Sequence, residues 1–292
     1  MAETIIELEN VTLRYRRNVA NSDISFSMKS GDYLAVFGPA ASGKTTLLRY
    51  IAGRMRAARG SIRLDGRVGA ALEGDKVTGL LTPDIWLNRQ ALSGDVPASR
   101  RSARVAEVLE LLGLYGERDR QVRELSYSRK AGLLIAGAIV GNPAILLLDN
   151  ITGRLEPAIR THLFEWLDLR RADDQLTLIH ATTDSSLAQC ADRVLMLHQG
   201  KSIACEQPAS YFARCAMDRV TVEADDPRSV QKTLRGVFDV EITQSPSGLT
   251  FRAADGLALT AHLFRHPAGG VRIIHLRPPD LWQVHAELIK QA

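Results

Sequence analysis

The chain has 292 residues, of which 45% are hydrophobic and 24% charged, and its net charge is +4. This composition excludes a disordered chain and a small disulfide scaffold, and it allows one large domain with a smaller one. The weak positive charge favours anionic partners without requiring nucleic acid, which we do not expect as a partner. The longest uncharged apolar run, residues 132–141, is too short to span a bilayer, and the early charges of the N-terminus are not those of a signal peptide.

Strand and helix patterns alternate over the first 200 residues. The predicted strands are residues 4–17, 23–29, 33–38, two short strands around an Asp-Gly turn within 59–72, and then 144–149, 176–181 and 193–198. The predicted helices are residues 44–55, most of 83–121, 127–141, 157–170 and 185–191. We expect Arg100, Arg101 and Arg104 to form a solvated helix face. The alternation predicts an α/β fold with a largely parallel sheet.

The pattern changes near residue 213. The predicted elements beyond it are a strand at 219–224, a helix at 227–236, strands at 238–243 and 249–254, a helix at 256–266, a strand at 271–276 and a helix at 279–291. The order strand, helix, strand, strand, helix, strand predicts a small α+β module of the ferredoxin-like kind at 213–292. Its role in regulation or dimerisation, or as a passive cap, stays open.

A glycine-rich loop follows the strand at 33–38 and opens the next helix. It fits the pattern G-x-x-x-x-G-K-[ST], and its residues are Gly38, Pro39, Ala40, Ala41, Ser42, Gly43, Lys44, Thr45 and Thr46. In this setting the backbone amides and the helix N-terminus favour phosphate oxygens. Lys44 is expected to reach the β- and γ-phosphates, and Thr45 to place its hydroxyl on magnesium. The loop therefore predicts a nucleoside triphosphate site.

Asp149 ends the apolar strand 144–149, which we expect to run parallel to the strand before the loop. A carboxylate at that place suits the second half of a magnesium site, with Thr45 as the other protein ligand. The next residue is Asn150. An amide can hold a water by hydrogen bonds, but it cannot take a proton from that water near pH 7.

The order of these motifs resembles that of ABC-type ATPases over residues 4 to about 212. The resemblance implies an ATP-binding domain at 1–212 with a helical subdomain at about 80–140, and it places Tyr15 where the family stacks an aromatic ring on adenine. It places the signature at Leu125, Ser126, Tyr127, Ser128 and Arg129, the Walker B strand before Asn150, and the D-loop at 152–157 with Glu156 for its aspartate. A short link into the Q-loop region, and a tail like that of drug- and lipid-export ATPases, resemble exporters.

Three catalytic positions depart from the family pattern. Asn150 holds the place of the catalytic glutamate, and Glu73 that of the Q-loop glutamine. The switch histidine position is Thr182 when counted without a gap and Thr183 with a one-residue shift, and His180 is expected to be a core or interface residue. The signature keeps Ser126, while its two glycines and its glutamine are replaced, and Arg129 could offer charge to a partner's nucleotide. The resemblance therefore implies ATP and Mg²⁺ as ligands at a site with very slow hydrolysis.

The expected function is that of an ATP-binding subunit of an ABC-type exporter. It would pair with a second, more typical ATPase as a heterodimer, with a homodimer as the alternative, and dock on an integral membrane permease through the region 80–125. It would then lie in the cytoplasm at the inner face of the cell membrane. The alternatives are a nucleotide-gated pseudo-ATPase that regulates or scaffolds outside transport, and an ABC protein of ribosomes or DNA. The last of these expects tandem ATPase domains or a long linker, which the sequence lacks.

Overall fold

The computed structural model describes residues 3–15, 18–215, 217–235, 237–238, 240–245, 248–253, 255–267, 269–277 and 279–291. Residues 16–17, 236, 239 and 254, which fall within four of the predicted elements, lie outside these ranges. The chain divides into two compact units, Met1–Pro208 and Ala209–Ala292. This division lies at residues 208/209, whereas the sequence pattern places it at 212/213. In the described part of the chain, no helix is long and apolar enough to cross a membrane.

Nine strands of the described residues form the sheet of the first unit. They are β1 (Thr4–Tyr15), β2 (Asn18–Lys29), β3 (Tyr33–Phe37), β4 (Arg59–Leu64), β5 (Val68–Ala71), β6 (Ile145–Asp149), β7 (Thr177–Thr182), β8 (Arg193–His198) and β9 (Lys201–Glu206). Their order is β4-β1-β2-β9-β8-β3-β7-β6-β5. The strands β8, β3, β7, β6 and β5 run parallel to one another, as predicted from their apolar sequences.

The helices of the first unit connect these strands. They are α1 (Lys44–Ile51), α2 (Pro83–Ser93), α3 (Ala98–Leu111), α4 (Tyr127–Ile139), α5 (Pro157–Asp174) and α6 (Ser185–Gln189). The strands β3, β6 and β7 are buried along their whole length. Because they are parallel, their carboxyl ends meet at one edge of the sheet, and that edge receives the glycine-rich loop, Asp149 and Thr182.

The two short strands β4 and β5 follow the sequence prediction, but they do not pair with each other. β4 pairs with β1 in antiparallel fashion, and β5 pairs with β6 in parallel fashion. They therefore stand at the two opposite ends of the strand order. The Asp-Gly turn between them carries the chain across the unit, and this brings the residues after β5 to the edge where Asp149 lies.

Arg104 does not belong to a solvated face, contrary to the sequence expectation. Its guanidinium donates to the carbonyl oxygens of Ile139 and Val140 at 2.8 and 3.2 Å, and it pairs with Glu107 at 2.7 Å. Those carbonyls end α4 and lack partners within that helix. The arginine of α3 thus caps α4, which fixes two helices of the helical region against each other.

The second unit contains four described strands and four helices. They are α7 (Pro208–Cys215), β10 (Asp218–Ala224), α8 (Pro227–Arg235), β11 (Glu241–Ser245), β12 (Gly248–Ala253), α9 (Gly256–Arg265), β13 (Val271–Arg277) and α10 (Leu281–Gln291). The sheet is antiparallel in the order β11-β12-β10-β13, which is that of a split strand–helix–strand pair. Its apolar face forms a core of its own with α8 and α9, including Val220, Phe251, Leu234 and Leu263.

Candidate functional site

The glycine-rich loop turns sharply before α1. Gly43 caps this helix with φ of 102°, in the region that glycine adopts most easily. A side chain at Gly43 would meet the Ala20 carbonyl oxygen at 2.7 Å and the amide of Asn21. The first turn of α1 carries no acidic residue, so its free N–H groups and positive helix end have no anionic side chain of that turn beside them.

A Gly43→Ala variant is expected to lose about 2 kcal/mol or more of stability, because backbone strain and a backbone clash add at one position. Gly53→Ala is the matched control: Gly53 has φ of 70° but no atom within 4 Å of the added carbon. Urea unfolding of both variants measures the difference. Equal losses in the two variants would contradict the close approach of the loop to residue 20.

Lys44 is the first residue of α1, and it is folded into the loop. Its ammonium donates to the carbonyl oxygens of Gly38 and Pro39, both at 2.7 Å, and reaches the Ser42 hydroxyl at 3.5 Å. The side chain is only 7% exposed. Burial lowers the pKa of Lys44, and the Asp149 and Glu73 charges oppose that effect. A buried cation with few counter-charges is prepared to receive an anion.

Asp149 ends β6 and is 1% exposed. Its Oδ2 accepts a hydrogen bond from the backbone N–H of Glu73 at 3.3 Å, whereas its Oδ1 is buried without a hydrogen-bond partner. Burial raises the pKa of Asp149, while the Thr45 hydroxyl and the Glu73 amide lower it. An unsatisfied carboxylate oxygen beside a hydroxyl fits a hard cation such as Mg²⁺.

The described residues contain no group of three or more His, Cys, Asp or Glu that could hold a metal ion. One carboxylate and one hydroxyl are nevertheless enough for Mg²⁺ when phosphate oxygens and waters complete its shell. The residues at Thr45 and Asp149 therefore fit Mg²⁺ carried by a nucleotide, and they do not form a cage for a free metal ion.

A cavity of about 560 Å³ lies above the loop. The predicted site residues that line it are Ala40, Ala41, Gly43, Lys44, Thr45, Thr46, Glu73, Asp149 and Asn150. Gly38, Pro39 and Ser42 do not line the cavity, and they accept the hydrogen bonds of the Lys44 ammonium instead. Sequence reasoning missed Val19, Ala20, Gln199 and Gly200, which also line the cavity. The only signal for them in the sequence was the glycine at position 200. The structure shows why glycine is needed there: its φ is 80°, and a side chain would meet the Ala20 carbonyl oxygen at 2.5 Å.

Asn150 lines the cavity next to Asp149, with φ of 50°. Its backbone N–H donates to the Ala181 carbonyl oxygen at 2.8 Å. Asparagine tolerates this left-handed conformation better than most residues do. The backbone conformation and this hydrogen bond therefore place Asn150 at the cavity, directly after Asp149.

Thr183 lines the same cavity, and Thr182 does not. Thr182 is buried, and its hydroxyl accepts the N–H of Asp184 at 2.9 Å. Of the two alternatives for the switch position, the ungapped one, Thr182, serves the turn after β7, and the shifted one faces the cavity. In both cases the side chain is a hydroxyl that cannot carry positive charge.

Glu73 extends from the segment after β5 to the cavity. Its carboxylate pairs with Arg154 at 3.3 Å, and its carbonyl oxygen accepts Arg49 at 3.2 Å. Arg49 also donates to the hydroxyl of Tyr15 at 3.4 Å. Tyr15 is 45% exposed and is not among the described lining residues of the cavity. It lies at the end of β1, and Arg49 joins it to Glu73.

The comparison with known proteins decides the family. A sequence model described as "ABC transporter" matches residues 21–153. The energy-coupling factor transporter ATP-binding protein EcfA1 of Streptococcus mutans is 30% identical over 242 residues, which cover 73% of this chain and 82% of the relative. The chain belongs to the ABC transporter ATP-binding family. EcfA1 of Streptococcus pneumoniae is 29% identical over 260 residues, covering 80% of this chain and 90% of the relative.

Solved structures carry the same fold. The dimeric ATP-binding cassette MJ0796, bound to ADP and phosphate, aligns with a TM-score of 0.66 at 22% identity and covers 70% of this chain and 99% of its own. The cbiO1 protein of Clostridium perfringens aligns with a TM-score of 0.61 at 22% identity and covers 73% and 92%. These likenesses confirm the predicted α/β fold of ABC type. The protein is thus an ATP-binding subunit of an ABC transporter.

The segment predicted to be the signature, residues 125–129, is held by the chain's own residues. Ser126 caps α4 by accepting the N–H of Arg129 at 3.2 Å, and Leu125 is buried. The Ser128 hydroxyl accepts the N–H of Glu156 at 3.2 Å. Tyr127 is 65% exposed.

The position of Arg129 in the predicted signature suggests a side chain that extends from the surface. In the structure it packs against its own chain instead. Its guanidinium donates to the Gly113 carbonyl oxygen at 2.7 Å and lies 3.7 and 3.9 Å from the carboxylates of Glu117 and Glu156. Two acidic groups thus compensate its charge within the chain. The expectation that Arg129 could offer charge to a partner's nucleotide has no support in this geometry.

His180 lies in the core and does not line the cavity above the loop. Its Nδ1 is 3.2 Å from the Tyr33 hydroxyl, and its Nε2 is 2.9 Å from the Thr152 hydroxyl. The ring also packs against Phe164. Burial lowers the pKa of His180 to about 4, against a small opposing effect of Asp184. The imidazole is therefore a neutral structural group and not a displaced catalytic histidine.

The free energy of unfolding of this ABC subunit is expected to decrease as the pH is lowered, because of His180. The folded pKa lies below the unfolded value of about 6.5, so the neutral imidazole favours the folded state above pH 6.5, and this advantage is lost as pH falls toward 4. The loss amounts to about 3 kcal/mol at the lower end. Urea unfolding between pH 7 and pH 4 should show a shallower decline for His180→Gln than for the natural chain, and parallel declines would contradict this role.

Proposed function

We propose that this ABC transporter subunit binds Mg²⁺–ATP in the cavity above the loop and hydrolyses it very slowly. The observation that carries the proposal is the neutral amide of Asn150, which stands beside Asp149 at the cavity. Lys44, Thr45 and Asp149 are the residues that hold the triphosphate and its cation. When bound, Mg²⁺ neutralises phosphate charge and polarises the γ-phosphoryl group.

The slow step follows from the side chains near the γ-phosphate. A general base typically contributes about 10²- to 10⁴-fold to a rate, and Asn150 cannot accept a proton near pH 7. Thr183 can donate a hydrogen bond to an oxygen, but it adds no positive charge. Binding is maintained by groups that do not take part in proton transfer. The subunit accordingly stays occupied and changes shape with its ligand.

A second ATPase subunit is the proposed partner. The signature offers Ser126 to a facing nucleotide, but Tyr127 adds an exposed ring where a glycine would allow close backbone approach. Arg129 is held within its own chain. A homodimer would combine a poor base with a poor signature at both sites, so a heterodimer with a typical ATPase is the assembly we propose.

A membrane permease is the second proposed partner. A groove of about 500 Å³ lies between α2 and the segment after β5, lined in part by Trp86, Gln90, Lys76 and Gly137. Its α2 side, which includes Trp86 and Gln90, falls in the region 80–125 that the sequence indicates for docking, and the groove suits a helix end of a membrane protein. The subunit would then lie at the inner face of the membrane. The export direction rests on the sequence resemblance alone, so the proposal leaves direction unassigned.

Purification of the natural complex tests this assembly. An affinity-tagged subunit, extracted in mild detergent with Mg²⁺–ATP, is expected to retain an integral membrane protein and a second ABC ATPase. Trp86→Glu should release the membrane protein while it leaves nucleotide binding unchanged. If the tagged chain is isolated alone or only with non-membrane proteins, the pseudo-ATPase alternative replaces the transporter role.

A further inference from the structure

One arginine joins the two parts of the ABC site that normally face different nucleotides. Arg154 lies in the turn between β6 and α5, and its side chain is 24% exposed. Its guanidinium pairs with the Glu73 carboxylate at 3.3 Å and lies 5.1 Å from the centre of the Tyr127 ring. Glu73 and Tyr127 are both departures from the family pattern, and they meet on this one side chain.

The link continues into the nucleotide cavity. Glu73 lines the cavity, and its backbone N–H donates to the Asp149 carboxylate. A chain of contacts therefore runs from the metal-facing acid through Glu73 and Arg154 to Tyr127, the first residue of α4. The other signature contacts, those of Ser128 and Arg129, lead to Glu156, Gly113 and Glu117, away from the cavity.

We propose that Arg154 is a positioning residue that couples occupation of this chain's nucleotide cavity to the conformation of its own signature segment. The inference rests on the proposed binding of Mg²⁺–ATP and adds a route by which that binding is communicated. A site that hydrolyses ATP slowly could then regulate its partner, because the signature segment contacts the nucleotide bound by the partner ATPase.

Electrostatics supplies the physical reason. A polyphosphate in the cavity attracts the Arg154 guanidinium, and its divalent cation attracts the Glu73 carboxylate, so each partner of the pair gains a competing opposite charge. Both effects weaken the pair between Glu73 and Arg154. Since the same guanidinium also lies over the Tyr127 ring, its release changes how Tyr127 and the first turn of α4 are held. When the cavity is empty, Arg154 holds the signature segment through Tyr127, and when a nucleotide is bound, this contact is weakened.

Hydrogen–deuterium exchange of the purified full chain tests the coupling. Adding Mg²⁺–ATP is expected to speed exchange of the amides of residues 127–130 by about two- to fivefold, as suits the loss of a partly exposed ion pair. In Arg154→Gln the amides should exchange at one rate with and without nucleotide. Arg160→Gln, which removes the same charge from α5, is the matched control and should respond like the natural chain. Glu73→Gln should reduce the response.

The readout is the change caused by nucleotide, which a merely structural role of Arg154 would not remove. Nucleotide affinity, measured by titration on the same samples, separates the two claims. Failure of the natural chain to bind Mg²⁺–ATP would overturn the proposed function and this inference together. Binding with no change at residues 127–130, or with an equal change in Arg154→Gln, would overturn the coupling alone.

Discussion

Replacement of Lys44 by alanine is expected to lower the affinity for Mg²⁺–ATP by about 10²-fold or more. Each hydrogen bond from a charged donor contributes about 1.5–3 kcal/mol, and the ammonium is the one lysine side chain lining the described cavity. In the free protein this ammonium donates to the Gly38 and Pro39 carbonyl oxygens. These contacts hold it at the loop, from which it turns to the phosphates.

The experiment is a calorimetric titration of both proteins with ATP at fixed Mg²⁺. Lys29→Ala serves as the control, because Lys29 ends β2 on the exposed surface away from the cavity. Thermal unfolding of Lys44→Ala shows whether the loop still folds without its internal donor. An affinity equal to that of the natural chain, in a folded variant, would remove the loop from its assigned role.

Replacement of Asn150 by glutamate is expected to raise the rate of ATP hydrolysis by at least about tenfold. A carboxylate at this position can accept the proton of an attacking water, which typically contributes about 10²- to 10⁴-fold. We expect less than the full gain for two reasons. The φ of 50° at residue 150 strains glutamate more than asparagine, and Thr183 leaves the γ-phosphate without a positively charged neighbour.

Asn150→Gln is the matched control, since glutamine has the length and the backbone strain of glutamate but no basic oxygen. Single-turnover hydrolysis, with protein in excess over ATP, compares the three proteins without interference from product release. The glutamate variant should be faster than both amides. Equal rates in all three would show that the limiting step lies elsewhere, in the assembly of the composite site.

The sequence was sufficient for those parts of the site that are contiguous in the chain. The loop from Gly38 to Thr46 follows a buried strand and opens a helix, so its pattern carries its own structural context. Asp149 was predictable because the apolar run before it has the length of a buried strand. Its partnership with Thr45 follows from parallel strands that end at the same edge.

Contacts between distant segments could not be read from local patterns. Arg129 and Arg104 sit on helices at positions that predict exposure, but carbonyl oxygens of other segments bind both. The choice between Thr182 and Thr183 depends on one hydrogen bond to Asp184, which turns the first side chain away from the cavity. Each of these outcomes depends on tertiary packing and not on residue type.

Residues 19–20, near the start of β2, and the turn at 199–200 were missed for the same reason. The N–H of Ser22 donates to the Gly200 carbonyl oxygen at 2.8 Å, and this contact brings two segments almost 180 residues apart to one side of the cavity. Neither segment carries a charged or metal-binding residue that would indicate a site. These residues form part of the cavity wall, and they come together only when the sheet is assembled.

We propose that the subunit holds Mg²⁺–ATP without splitting it at a useful rate. The most direct test mixes purified subunit, in excess, with radiolabelled ATP and Mg²⁺, and follows bound ATP and released phosphate over time, with Lys44→Ala as the blank for contaminating ATPases. We predict bound label that remains ATP, with hydrolysis about 10²- to 10⁴-fold slower than in a family member that has the glutamate. Prompt phosphate release at the rate of such a family member, absent from the Lys44→Ala blank, would contradict the account.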